Sequence, residues 1–491
     1  MTALNRYTDE RLLKIKLILI IFFSFNGIFH LKAQPTRYLF LDTAFVSNKY
    51  NVSFKINPPD RKEIVINHDK PWEDVMISFY LSVFEDEGKL RMWYICRDSL
   101  LRGHVAYAES ADGINWVKPN LGIVDYNGSK ENNLVNLEVL DGMVYKDPHA
   151  NNSGEKYIYI GNNSDGSYRY CSSDGITWAR DSLPLLPFFI DSQHIVFWDN
   201  LLDKYVLYLR GWYPNDPDSQ LRTVVRYTAK NLSKPLHFDR KPIFKEKDTR
   251  VMIVDEMPVV ITTDKLDPPK TDVYTSSVQP YPLDPRWYIG FPSYFRHFKH
   301  RSDGRLEVHF VGSKDGINWQ RYDRNPYAEL GLQGSECENM LFMGPGMILK
   351  GDEIWQYGTG FHSRHGDMEA RKKKTDGVIY RYVQRIDGFV SLDFGNGLAN
   401  CITDTVKIEG TNLILNVDNG ALGSIRVGII GVDGEPISGF TESDCDFFQV
   451  NSTHYKVSWH GKSDLSLLYG KEVCLVLSGQ RTKLYSFYFQ D

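Results

Sequence analysis

Long apolar runs are almost missing from this sequence. The one near its start, Leu17 to Phe25, is short for a bilayer span and is interrupted by Ser24, Asn26 and Gly27. An excess of one charge is missing too: 57 Lys and Arg against 62 Asp and Glu leave a net charge of −5. Without a basic field there is little to attract a nucleic acid, so that partner is excluded. Cysteine is scarce and scattered, at positions 96, 171, 337, 401, 445 and 474, with no CxxC pair and no zinc spacing. An oxidising compartment would permit disulfides, but wide spacing suits buried free thiols equally, and no pairing is assigned. No GxSxG elbow, HExxH helix, P-loop or dinucleotide fingerprint occurs, which removes the chemistries those motifs carry. No long amphipathic helical pattern is found either.

Aromatic residues are plentiful at 13%, with 29 Tyr, 27 Phe and 10 Trp. Strands favour them, and some can serve as platforms for sugar rings. At 491 residues the chain has length for two or three domains. Its first 33 residues read as a signal peptide: Arg11, Lys14 and Lys16 precede the apolar run, and Leu31-Lys32-Ala33 resembles a cleavage site before Gln34. No cysteine near the cut offers a lipid attachment point, so the expected product is exported, to periplasm or exterior, without a membrane anchor.

A repeat organises the middle of the chain. Ser110-Ala-Asp-Gly-Ile-Asn-Trp116 recurs as Ser172-Ser-Asp-Gly-Ile-Thr-Trp178 and as Ser313-Lys-Asp-Gly-Ile-Asn-Trp319. Asp-Gly between strand-forming runs is a strong hairpin signal, because glycine tolerates the positive φ of a tight turn. Ser and Asp can cap the turn amides, so these aspartates are read as structural. Each turn follows a pair of aromatic-rich strands, as in Leu90-Arg-Met-Trp-Tyr-Ile and Lys156-Tyr-Ile-Tyr-Ile. Units of this kind, repeated five times, predict a five-bladed β-propeller over residues 34–395. Past Phe394 the pattern becomes alternating strands with glycine turns, predicting a small antiparallel β-sandwich over 396–491. The fold class is therefore all-β.

The Trp-Tyr strands, the SxDGxxW hairpin and Lys146-Asp147-Pro148 together resemble the glycoside hydrolase superfamily of families 32, 43 and 68. The run from Tyr107 to Gly122 with Gly128-Ser-Lys-Glu-Asn-Asn133 resembles exported bacterial proteins described as family-32-like. The resemblance implies a glycosidase removing a terminal sugar, a furanose such as arabinose or fructose, from a poly- or oligosaccharide. It also implies acidic residues from successive blades meeting at the axis, one as base or nucleophile and one as proton donor. By that resemblance Asp147 is a site residue, Glu73 in Pro71-Trp-Glu-Asp-Val75 stands for the first-blade acid, and Glu336 and Glu338 both remain candidates for the donor. Asp191, Glu256 and Asp272 are rival acids.

Trp72, Asp74, His149, Asp191, His194, Arg210, Trp212, Asp272 and His365 are expected to line the substrate site, with His362 and Arg381 as further polar candidates. No cofactor is required; a structural divalent cation such as calcium at the axis stays open. A carbohydrate is the expected partner. Two other readings stand beside this one: a non-catalytic glycan-binding propeller, and a phosphorylase or transglycosylase on the same scaffold.

Overall fold

Alternation of large apolar and polar residues, punctuated by Gly and Asp turns, makes this chain strand after strand. A computed structural model describes residues 35–150, 152–163, 166–212, 221–238, 257–300, 302–367, 369–370 and 375–491. The leader expected over residues 1–33, and the rival acid Glu256, lie outside the described residues. The chain is all-β. None of the six cysteines is disulfide-bonded.

Five antiparallel groups follow one another along the chain. The first holds Met76–Asp86, Lys89–Arg97 and Gly103–Ser110. The second holds Val144–Lys146, Tyr157–Asn163, Gly166–Ser172 and Ala179–Arg180. In the third, Ile195–Asp199, Lys204–Trp212, Arg222–Ala229 and Val259–Ile261 are paired in order. The fourth has broken strands: Thr271–Thr275 runs on as Val278–Tyr281, Asp284–Gly290 as Ser293–His297, and Gly304–Val308 as Val311–Ser313. The fifth is built on Met340–Met343, Ile348–Lys350, Glu353–Phe361 and Val378–Arg385, and its edge is taken by Asp60–Ile66 from the other end of the chain. That pairing covers an edge that would otherwise expose unpaired amides.

The remaining strands form two sheets around one apolar core that includes Phe40, Val46, Leu415, Val427, Leu475 and Phe487. Both ends of the chain build them. Arg37–Leu39 pairs with Thr482–Gln490, Val46–Tyr50 with Ala399–Thr403, and Val52–Ile56 with Val390–Phe394.

The repeated turn has the geometry its residues predict. In the first copy Asp112 Oδ1 accepts from the amides of Ile114 (2.9 Å) and Asn115 (2.8 Å), and Ser110 Oγ accepts from Gly113 N at 2.8 Å. Asp174 and Asp315 make the same bonds. The turns also join neighbouring groups. Trp93 Nε1 donates to Gly175 O at 2.7 Å, Tyr208 Oη to Gly316 O at 2.9 Å, and Tyr357 Oη to Gly113 O at 2.8 Å. A strand of the first, third and fifth groups thus grips the turn of the second, fourth and first. The last group is thereby linked back to the first.

A second set of links recurs at the end of the first strand of three groups. Asp86, Asp147 and Asp199 each accept a tyrosine hydroxyl from the second strand of the next group: Tyr157, Tyr205 (2.7 Å) and Tyr288. Asp147 also caps its own hairpin by accepting from His149 N at 2.9 Å. It is one of three equivalent carboxylates that bind successive groups together.

Candidate functional site

Polar residues from several groups meet near the first strands of those groups. Asp141 lies just ahead of Val144–Lys146, Asp191 just ahead of Ile195–Asp199, and Tyr274 near the start of the fourth group's first strand. Tyr80, in the first group's first strand, interacts with Asp141, Ser192, Arg210 and Tyr274. Phe79 and Phe342 add an aromatic wall, with ring centroids 4.8 Å apart. His365 closes another side, its Nε2 2.9 Å from Tyr274 Oη and its Nδ1 2.9 Å from Ser302 O.

Two carboxylates of this cluster sit in opposed settings. Asp141 is half-buried, on a backbone with φ +72°. Burial first, and then the charge of Asp191, push its carboxyl up to about 6, against the pull of Arg97, Arg210 and Asn162. Asp191 has a side chain 44% exposed, and Arg210 Nη1 stands 3.2 Å from its Oδ2. Arg210 is itself buried and fixed: it also donates to Asp191 O and to Tyr274 O (2.7 Å), and its guanidinium lies 4.2 Å over the Tyr274 ring. Asp191 is thus tied to a fixed guanidinium, while the shielded Asp141 keeps its proton to higher pH. Such a pair can donate a proton and supply a base or nucleophile in one place.

Several residues expected at the site form its frame instead. Asp272 is fully buried. Burial alone would raise its carboxyl, but the His297 hydrogen bond and the Arg222 charge hold it below the usual carboxylate range, with Arg222 Nη1 at 3.0 Å and His297 Nε2 at 3.2 Å. Trp212 is buried, with Arg222 4.9 Å and Arg210 5.9 Å from its ring, so it offers no open face for stacking. His194 is buried, bonds to the carbonyls of Ser192 and Ile160, and is pushed down to about 4 by burial, which keeps it neutral.

Other expected residues have partners of their own. Glu73 is completely buried in an ion pair: Lys118 Nζ is 2.8 Å from both its oxygens and Tyr94 Oη donates at 2.6 Å. Trp72 beside it is buried too, its Nε1 bonded to Asn133 Oδ1 at 2.9 Å. Asp74, next in the chain, is exposed. Asp147 stands at the opposite end of its strand from Asp141, up to roughly 20 Å away at strand rise, and His149 is exposed with its ring 4.0 Å from Trp198. Glu336 and Glu338 belong to a cluster in the fifth group. Glu336 Oε2 is 3.7 Å from His362 Nδ1, which is 2.8 Å from Asp376, and Glu338 accepts from Asn339 Nδ2 at 2.9 Å. Arg381 is paired with Glu63 at 2.6 Å and stacked on Trp355.

Asp141, Tyr80 and Tyr274 were not singled out by sequence. Asp141-Gly142 reads as a turn dipeptide, and only its position ahead of a group's first strand, like that of Asp191, would have drawn attention to it. Among the described residues no group of three or more His, Cys, Asp or Glu is placed to hold a metal ion. Asp141 and Asp191 have Arg97 and Arg210 beside them, a setting that opposes a divalent cation.

No family model and no curated protein matches this chain. Solved structures do. A glycoside hydrolase is 12% identical over 67% of this chain and 92% of its own, with a TM-score of 0.43. An N-acetylgalactosamine deacetylase from F. plautii, in complex with blood group B trisaccharide, is 13% identical over 68% of this chain and 95% of its own, with a TM-score of 0.41. A family 43 arabinoxylan arabinofuranohydrolase from Bacillus subtilis is 12% identical over 85% of this chain and 96% of its own, with a TM-score of 0.36. In structure the chain is thus similar to glycoside hydrolases, family 43 among them.

Proposed function

We propose that this chain is an exported glycoside hydrolase whose five strand groups are the blades of a β-propeller, with the two sheets of joined termini as an appended β-sandwich. Five consecutive antiparallel groups, linked turn to strand and back from fifth to first, support the propeller reading. The observation that carries the function is the pair Asp141 and Asp191 at the mouth of the axis. One carboxyl is held up at about 6 and the other is ion-paired to a buried arginine. Glycoside hydrolysis needs this division of labour, an acid to protonate the departing oxygen and a carboxylate opposite it. In this reading Asp141 is the donor and Asp191 the base or nucleophile. Tyr80, Tyr274 and His365 offer hydroxyl and imidazole groups to sugar hydroxyls, and Phe79 an apolar face. The acid pair proposed here replaces Asp147, Glu73, Glu336 and Glu338 in that role.

A panel of aryl glycosides and plant or microbial polysaccharides, assayed with the wild-type protein and with Asp141→Asn and Asp191→Asn, tests the reading. Release of reducing sugar that both substitutions abolish supports it. Binding without turnover by the wild type would instead favour a glycan-binding protein.

A further inference from the structure

A cavity of about 440 Å³ lies against the fourth group, on the sheet face opposite Asp272. Strand alternation separates the two. In the sheet of Thr271–Thr275, Ser293–His297 and Gly304–Val308, Asp272, Phe295 and His297 share one face. Thr271, Tyr294, Arg296 and Arg305 share the other, which floors the cavity.

Arg296 and Arg305 are direct cross-strand partners. Like charges set opposite each other destabilise a sheet, and here both side chains are exposed on the same cavity. The acids nearby are committed elsewhere. Asp267 is held by Arg321 (2.7 Å) and Arg324 (3.2 Å), and Glu307 by His309 (3.0 Å). Among the described residues neither Arg296 nor Arg305 has a carboxylate partner; Arg305 donates only to the Asn339 amide oxygen, at 2.7 Å. Phe298, 36% exposed and 5.8 Å from the Arg305 guanidinium, supplies an aromatic face beside the charges. Tyr294 and Thr271 in the floor carry hydroxyls with no hydrogen-bond partner among the described residues.

We infer that this cavity binds an acidic saccharide, its carboxylate or sulfate ester between Arg296 and Arg305 and its ring against Phe298. Guanidinium forks match both anions in shape and charge. The sugar part of the ligand rests on the glycan reading above; the anionic part rests on the arginine pair alone.

Calorimetric titration of the full chain tests this, with digalacturonic acid, its methyl ester, a sulfated disaccharide and inorganic sulfate as probes. The acid or the sulfated sugar should bind, the one that binds naming the anion, and the ester should bind at least about tenfold more weakly. The double variant Arg296→Gln/Arg305→Gln should lose binding by a similar factor with its melting temperature kept, and Phe298→Ala should weaken it further. Added salt should weaken binding by the wild type, and Asp141→Asn should leave it unchanged. Equal binding of acid and ester, unaltered binding by the double variant, or inorganic sulfate binding as tightly as the sugars would overturn the inference. So would loss of binding in Asp141→Asn, which would place the ligand at the axis. Hydrolysis that depends on Asp141 without any binding of acidic sugars would sink this inference and leave the catalytic reading standing.

Discussion

Tyr205 donates its hydroxyl to Asp147 at 2.7 Å, tying the third strand group to the second. The same bond joins Tyr157 to Asp86 and Tyr288 to Asp199. A carboxylate that recurs in three groups with the same partner type is a structural part, although its Lys-Asp-Pro setting resembles a catalytic motif. Asp147→Ala should therefore cost about 1–3 kcal/mol of stability, the scale of leaving a buried hydroxyl unpaired. Turnover per folded molecule should be retained. Chemical denaturation with a parallel activity assay checks both; a stable, inactive variant would restore Asp147 to the site.

Glu73 and Lys118 make the opposite case, two residues far apart in sequence that meet in a buried ion pair. Removing Glu73 leaves the buried Lys118 ammonium with the exposed Asp69, at 2.5 Å, as its remaining carboxylate partner. Glu73→Ala should lower stability by about 3–5 kcal/mol. Soluble yield and thermal unfolding would report it, and a variant that melts within a degree of the wild type would contradict the assignment.

The repeated turns were legible because their chemistry is local: Ser and Asp cap amides within the same seven residues, and glycine takes the positive φ. The hairpin strands around them followed from the same pattern. The hairpin aspartates 86, 147 and 199 were equally periodic, but their role depends on tyrosines of a neighbouring group, which spacing along one strand does not reveal. The buried pairs Glu73–Lys118 and Asp272–Arg222 are likewise products of packing. Asp141 was hidden because Asp-Gly reads as a turn, and its raised carboxyl comes from burial and from Asp191, neither visible in the local sequence.

Two turn glycines, one inside the repeat and one in the hairpin before Lys89, differ in their surroundings, which yields a paired test. Gly316 and Gly88 both have positive φ, +68° and +78°. A Cβ on Gly316 would come within 2.4 Å of Tyr208 Oη, whereas one on Gly88 would meet nothing within 4 Å. Gly88→Ala should cost about 1–2 kcal/mol for the left-handed backbone alone. Gly316→Ala should cost roughly 1–3 kcal/mol more, for the crowding and the disturbed link between groups. Equal melting temperatures for the two variants would argue against turn-to-strand links as a source of stability.

The pH dependence of folding should carry the mark of Asp141. Its carboxyl is raised in the folded protein, so the folded state binds the proton more tightly than the unfolded chain does. The stability this contributes is fully present below the unfolded value, near 3.9, and is lost as pH rises through about 6. Asp141→Asn should flatten that part of the curve. Denaturation midpoints at intervals between pH 4 and 7, for wild type and variant, would show the difference; superimposable slopes would speak against the raised carboxyl.

The most direct test of the catalytic account is the pH–rate profile of kcat/KM on the best-turned-over aryl glycoside, for wild type and Asp141→Asn. The donor must be protonated to act, so wild-type activity should fall as pH rises through about 6. The variant should lose that limb and at least about a hundredfold in rate, with smaller losses on activated leaving groups than on poor ones. Full turnover in Asp141→Asn with the same falling limb would show that another group donates the proton, and would contradict the account.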